Sequence, residues 1–336
     1  MAALVLLIAG CGGDDAEESD GPQALNATSG TFSLAAVGDI GMKRSGRATL
    51  AAMARARPDA YLAVGDLSYA GPQSERSFCR LVSSRVGERA PFAVLAGNHE
   101  EDSGDDGQIR EFAECLPDRV GAVGNYGVQY YFDVGRLARF VMLSPDLTIA
   151  DQHYYYGPDD AGGDTPQFAW FKEAISSARD EGIEWVIVGM HKPCITVGEY
   201  YCDVYQDLFN TLIEERVDLV ISGHDHSYQR SKQVSTSAGC RQVTVDDFDG
   251  DCVSDDGRSV RKGNGPIFVI AGTGGAEMYP VHADDPEAGY FTATMGRNTG
   301  GNRSGFVELE ISPDRLSGRF VGSTRGTFTD SFSIER

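Results

Sequence analysis

From Phe32 onward the chain alternates short apolar runs with stretches of helical periodicity. The runs "FSLAAVGDIG" (32–41), "AYLAVGDLSYA" (60–70) and "FAVLAGNHE" (92–100) are nearly continuous in apolar residues and predict buried strands. Between them, "RATLAAMARA" (47–56) and "SFCRLVSSRV" (77–86) predict helices. The stretch "YYFDVGRLARFVMLSPD" (130–146) predicts two strands with a turn at Gly135. An amphipathic helix is expected over 165–182, starting at Thr165 and Pro166. Strands follow over 184–191, 217–226 and 266–275, with a helix over 205–216. Residues 305–336 alternate like antiparallel strands. This β-α-β order predicts a layered α/β domain.

The polar residues that interrupt the pattern fall at one kind of place. Asp39, Asp66, Asn98, His191 and His224 each close a predicted strand, beside or near Gly38, Gly65, Gly97, Gly189 and Gly223. In open α/β sheets ligands bind outside the carboxyl ends of the strands. Five such ends carrying metal-type donors therefore predict one site. The stretch "VISGHDHSYQR" (220–230) holds two of the six histidines. If the strand continues through it, His224 and His226 point to one face and Asp225 to the other. Two converging imidazoles suit a metal. Taken alone, the pair can also be two surface residues at a strand end; the five strand ends together favour the metal.

In this order, "GDIG" (38–41), "GDLSY" (65–69), "GNHE" (97–100), "VGMH" (188–191) and "GHDH" (223–226) resemble the calcineurin-like metallophosphoesterases and, within them, the purple acid phosphatases. Two features point to that branch. The first motif reads Asp39-Ile40-Gly41 where most of the superfamily has Asp-x-His, and Tyr69 follows Asp66. The resemblance spans 32–336 and implies one catalytic domain, a layered β-sandwich of two mixed sheets flanked by helices. It implies that Asp39, Tyr69 and His226 bind Fe(III), that Asn98, His191 and His224 bind a divalent ion (Zn, Mn or Fe(II)), and that Asp66 bridges the two. Phenolate and carboxylate are hard donors suited to Fe(III), while imidazole and amide oxygen suit the divalent ion. The implied activity is that of an acid phosphatase, hydrolysing phosphorylated small molecules of monoester type by attack of a metal-bound hydroxide on phosphorus. His99 would contact phosphate or protonate the leaving group, its simpler role being a hydrogen bond to a ligand carboxylate.

One departure stands out. Many members of that family carry a further histidine shortly after the one matching His191, and "HKPCITVGEYYCDVY" (191–205) has none. Tyr200, Tyr201 and Lys192 are the candidates for its place. The rival activities are a phosphodiesterase or nucleotide-cleaving enzyme on the same metals, and a non-catalytic surface lipoprotein. His153 and His282 lie outside the motifs and read as loop residues, although "HYYYG" (153–157) could wall a pocket. The turn "GTGG" (272–275) reads as a tight connection near it.

Composition adds the setting. At 336 residues and 41% hydrophobic, the chain can bury a large core. A formal net charge of −21 argues against a nucleic-acid partner, whose phosphates are met by Lys and Arg. Residues 1–10 are almost wholly apolar, too short to span a bilayer, and fit the core of a secretory signal without its basic n-region. "IAGC" (8–11) resembles a bacterial lipoprotein box with Cys11 as the lipidated residue, or else an ordinary cleavage site; 12–31 reads as a disordered acidic tether. The expected location is extracytoplasmic, secreted or lipid-anchored at the bacterial cell surface. Setting Cys11 aside leaves six cysteines, and nearness in sequence favours Cys79–Cys115, Cys194–Cys202 and Cys240–Cys252. The loop "DDFDGDCVSDD" (246–256) crowds carboxylates without completing an EF-hand and is expected to be a solvated loop.

Overall fold

The apolar runs assemble into two mixed β-sheets packed face to face, in a computed structural model that describes residues 24–27 and 30–336. The first sheet has seven strands, in the order Ser259–Arg261, Ser331–Glu335, Arg315–Gly322, Gly305–Ser312, Phe32–Val37, Ala60–Val64 and Phe92–Leu95. Its last three strands are parallel, with Val37 beside Ala63 and Val64 beside Leu95. The second has eight, in the order Phe291–Met295, Tyr228–Ser231, Ile267–Ala271, Leu219–Ser222, Trp185–Met190, Ala138–Leu143, Gln129–Val134 and Val123–Asn125. Four of these run parallel, from Ile267–Ala271 to Ala138–Leu143.

Five α-helices lie among the described residues: α1 (Arg44–Ala56), α2 (Glu75–Val86), α3 (Ile109–Cys115), α4 (Pro166–Asp180) and α5 (Gln206–Glu214). Alternate strand residues serve two interfaces. Leu34, Ala36, Leu62 and Val64 turn inward onto Phe140, Trp185, Ile187 and Ile221 of the opposite sheet. Ala35, Val37 and Tyr61, and on the other side Val186, Val188 and Phe268, pack in a second cluster with helix residues such as Leu50, Phe78, Phe171 and Leu208. Strands buried on both faces need apolar residues at every position, which is why the runs read as unbroken rather than alternating. The expected fold class is the one observed.

Several polar ties hold the two sheets in register. The fully buried Trp185 donates its indole N–H to the Ser312 carbonyl of the facing sheet at 2.7 Å. Arg230 grips Asp330 in a bidentate pair, Nε to Oδ2 at 2.6 Å and Nη2 to Oδ1 at 3.0 Å, and Tyr228 donates to the same carboxylate at 2.8 Å. Thr165 accepts from the Phe168 amide at 3.3 Å with Pro166 in the first turn, the predicted start of α4. The three disulfides are Cys79–Cys115, Cys194–Cys202 and Cys240–Cys252, the pairs that nearness in sequence favoured.

Other expectations need correction. The predicted strands stop early: Leu219–Ser222 ends before Gly223, so His224 and His226 do not alternate along a pleat. The chain bends there, with His224 in left-handed backbone at φ 69°. A turn brings the two imidazoles together. Helix α3 and the strand Val123–Asn125 had no sequence signal of their own. The leader, Cys11 and residues 12–23 of the expected tether lie outside the described residues. Within 24–27, Leu25 bridges to Val134 and accepts from the Gly135 amide at 3.0 Å. Among the described residues no helix is long and apolar enough to cross a membrane.

Candidate metal centre

The parallel strands of both sheets end at one edge, where Gly38 and Gly223 meet. A Cβ at Gly38 would stand 2.9 Å from the Gly223 Cα, and one at Gly223 would stand 2.7 Å from Asp39 Oδ2. Only glycine lets the sheets approach this closely. Just beyond the first sheet lie Asp39, Asp66, Tyr69 and Asn98; beyond the second lie His191, His224 and His226.

These seven side chains form one connected cluster. The Tyr69 hydroxyl stands 2.7 Å from Asp66 Oδ2, 3.0 Å from Asp39 Oδ1 and 2.8 Å from His226 Nε2. His226 Nε2 lies 3.3 Å from Asp39 Oδ1. On the other side, His191 Nε2 stands 3.2 Å from Asp66 Oδ1 and 3.2 Å from Asn98 Oδ1. Donor atoms of Asp66, His191 and His224 lie within 4.8 Å of one another, and so do those of Asp39, Asp66 and His226. Asp66 belongs to both groups.

Surrounding groups orient these donors. The Nδ1 of His191 donates to the Val64 carbonyl and that of His226 to the Glu277 carbonyl, each at 2.8 Å. Both rings thereby turn Nε2 toward the cluster, the arrangement that metal-ligating histidines need. The His224 amide donates to Asp39 Oδ2 at 2.9 Å. Buried Glu100 accepts from the amides of Asp66 (2.9 Å), Leu67 (2.8 Å) and Gly97 (3.0 Å), tying two of the loops together.

Burial and neighbouring charge pull the donors of the cluster in different directions. Burial opposes ionisation of Asp66, but the facing His191, with His99 and Tyr69, outweighs it and holds the carboxyl below the usual range. His191 loses to burial and gains more from Asp66, so its pKa rises. Burial, with the Asp39 and Asp66 charges, holds the Tyr69 phenol protonated. His224 goes the other way: burial, then His191, depress its pKa to about 2. Its neutral Nε2 is buried with no hydrogen-bond partner among the described residues. An orphaned imidazole lone pair beside two carboxylates, a phenol and an amide oxygen fits a pair of metal ions.

Around the cluster, His99 is held by Asp105 Oδ1 at 2.7 Å and Asp106 Oδ2 at 2.8 Å through Nδ1, with Nε2 3.8 Å from Asp66 Oδ2. Of the three candidates for the absent histidine, Tyr200 is the one that stacks on the cluster, its ring 3.8 Å from that of His224. Tyr201 is exposed, and Lys192 is engaged with Asp146 Oδ2 at 2.7 Å. His153 also faces Asp146, at 3.3 Å, but it ends a short exposed strand, Gln152–His153, paired with Thr148–Ile149, and is not the loop residue expected; His282 faces Glu199 at 3.8 Å from an exposed loop. The stretch 246–256 is mostly exposed, but it is not a loop throughout: Gly250–Cys252 forms a 3-10 turn and Val253–Asp255 a short strand on Gln233–Val234. Its one metal-type group among the described residues combines Asp249 with the disulfide sulfurs of Cys240 and Cys252, which are not free to ligate. Two neighbours went unremarked in the sequence. Glu100 closes the "GNHE" motif, a signal that was there to read; Tyr279, stacked 4.1 Å from the His226 ring, has none. A larger pocket of about 580 Å³, between Asp59, Arg258 and Arg319, holds none of the seven side chains.

Residues 32–228, more than half of the chain, match the family model described as calcineurin-like phosphoesterase. A phosphoenolpyruvate phosphatase of Allium cepa is 27% identical over 304 residues, covering 82% of this chain and 56% of the relative. An Fe(3+)-Zn(2+) purple acid phosphatase 12 of Arabidopsis thaliana is 27% identical over 268 residues, covering 73% and 50%. Among solved structures, the purple acid phosphatase PPD1 from yellow lupin (Lupinus luteus) seeds shares the fold at a TM-score of 0.65 and 18% identity, over 94% of this chain and 55% of that one. The chain thus spans about half the length of the curated relatives it matches.

Proposed function

The chain belongs to the calcineurin-like phosphoesterase family, and from that premise we propose that it is a dinuclear-metal phosphomonoesterase of the purple acid phosphatase type. Asp39, Tyr69 and His226 would hold Fe(III). Asn98, His191 and His224 would hold Zn, Mn or Fe(II), with Asp66 shared. When bound, such a pair supplies Lewis acidity to the phosphoryl oxygens and lowers the pKa of water. The observation that carries this reading is the Tyr69 hydroxyl, within 3.0 Å of Asp39, Asp66 and His226 at once. A phenol in that position adds a hard donor suited to Fe(III).

The protein's own groups do the rest. Asp105 and Asp106 fix the His99 ring through Nδ1, leaving Nε2 at the edge of the cluster. Burial lowers the His99 pKa, but Asp66, Asp105 and Asp106 outweigh it and raise it, so Nε2 holds a proton to give to the departing oxygen. Tyr200 and Tyr279 cover one face each of His224 and His226 and limit the approach of water. Three disulfides support an oxidising, extracytoplasmic setting. In this reading 1–11 is a leader ending in a lipid-bearing Cys11, and 32–336 is the catalytic domain.

Turnover of p-nitrophenyl phosphate against bis(p-nitrophenyl) phosphate by the metal-loaded protein tests the proposal. The monoester should be favoured. A diester preference would make it a phosphodiesterase or nucleotide-cleaving enzyme on the same cluster, and no turnover of either at any pH would make it a non-catalytic binder.

A further inference from the structure

On the side of Tyr69 and His226 the cluster opens into a pocket of about 260 Å³. Two cationic side chains, Lys43 and Arg297, line it, and both are exposed. Lys43 stands just before α1 and makes no ion pair or side-chain hydrogen bond among the described residues; α1 has no acidic residue in its first turn. Arg297 is tied to the pocket wall through its backbone, its amide donating to the Tyr279 carbonyl at 2.7 Å. Its guanidinium faces Glu277, another lining residue, at 3.8 Å with both groups well exposed, and pairs with no other acidic group among the described residues. That pairing is loose and screened by water. Tyr279 itself lies flat on His226 at an interplanar angle of 11°, giving the pocket an aromatic wall.

The chain carries a formal net charge of −21, so two cations on one small pocket stand against the background. The phosphoryl group undergoing attack belongs to the seven-residue cluster, and Lys43 and Arg297 lie to one side of it. What they can meet is a second anion on the same substrate. We propose that this pocket is a leaving-group subsite selecting phosphoesters whose leaving group carries a further negative charge, a carboxylate or a second phosphate. A neutral leaving group would gain nothing from the charge of Lys43 or Arg297. The inference rests on the phosphomonoesterase reading above.

The test compares kcat/KM at pH 6 for 4-carboxyphenyl phosphate, its neutral isostere 4-carbamoylphenyl phosphate, and 1,4-phenylene bisphosphate. Calorimetric binding of the matching non-hydrolysable benzylphosphonates gives a second readout. The anionic compounds should be favoured by about fivefold, the scale of one or two partly exposed charge contacts. Lys43→Gln and Arg297→Gln should each bring the ratio toward one, and added salt should do the same. Lys172→Gln, at an exposed lysine paired with Asp164 and not lining the pocket, should keep the wild-type ratio. Preference for one of the two anionic leaving groups upholds the subsite and names its anion. Turnover of all three esters at equal rates, or a ratio that Lys172→Gln lowers as much as Lys43→Gln does, would overturn the subsite and leave the phosphatase standing. Turnover of none would overturn both.

Discussion

Four of the seven clustered side chains, Asp39, Asp66, Tyr69 and His224, stand on left-handed backbone at φ 59°, 53°, 46° and 69°. Such a conformation costs on the order of 1–3 kcal/mol for a residue other than glycine. Strain is tolerated here because short loops must turn donors from separate strands toward one point. The His224 imidazole adds the cost of a buried Nε2 without a partner. In the proposed site both costs would be offset by a bound cation, since a ligand that binds only the folded state stabilises it. Adding divalent metal to stripped protein should therefore raise the Tm of wild type by several degrees and that of His224→Ala by much less. His224→Ala and Asn98→Ala should also lose most of the divalent ion and of the activity. Unchanged metal content in both variants would refute their assignment as ligands. His99 predicts a different pattern. Its alanine variant should keep metal and fold while kcat falls by about 10²–10⁴; an unchanged rate on an ester with a poor leaving group would exclude it as the acid.

At the scale of the element, the ties between sheets carry more than their number suggests. Asp330 is buried against Arg230 and Tyr228 at the seam between strands Tyr228–Ser231 and Ser331–Glu335. Asp330→Ala leaves a buried guanidinium unpaired and should destabilise the fold by about 3–5 kcal/mol in a denaturant titration; a loss under 1 kcal/mol would show that water replaces the carboxylate. The legibility of these elements differs by cause. Helix α4 was readable because its fifteen residues show a period and Thr165-Pro166 marks its start, and the strand Trp185–Met190 because it is an unbroken apolar run closed by His191. The strand ends were overextended because loop segments such as 65–68 and 223–226 are as buried as the strands they follow, and apolar or buried character says nothing about where pairing stops. Helix α3 was invisible because seven residues are too few to show a period. Tyr279 was invisible because its contact with His226 spans a long sequence separation and belongs to no motif. The five motifs stood out because each sets polar, metal-type donors at the end of an apolar run, beside glycines such as Gly38 and Gly223 that the close approach of the sheets requires.

For the molecule as a whole, pH sets a balance that two buried carboxyls disclose. Burial pushes Asp218 up to about 7 from 3.8, and Glu287 up to about 7 from 4.5. Each folded-state pKa exceeds its unfolded value, so the folded state binds the proton more tightly. Their contribution to stability is present below about pH 4 and is lost as pH rises through about 7. Asp218 Oδ2 accepts from the Val186 amide at 2.8 Å, a bond that asparagine can keep. The Tm of Asp218→Asn should therefore fall less than that of wild type between pH 4.5 and 7.5; parallel curves would contradict the assignment. This direction is consistent with the acid-phosphatase activity proposed above. Whether it does the chemistry proposed turns on the phenol at its centre. Tyrosinate bound to Fe(III) gives a visible charge-transfer band, whereas Zn(II) is d¹⁰ and a di-zinc site is colourless. The visible absorption spectrum of the oxidised, iron-loaded protein, recorded beside that of Tyr69→Phe, is the decisive measurement. The wild type should be purple to pink and the variant bleached while Asp39, Asp66 and His226 still retain metal. An iron-replete wild type with no visible band, or a Tyr69→Phe variant that keeps its colour, would contradict the assignment of Tyr69 to the ferric site.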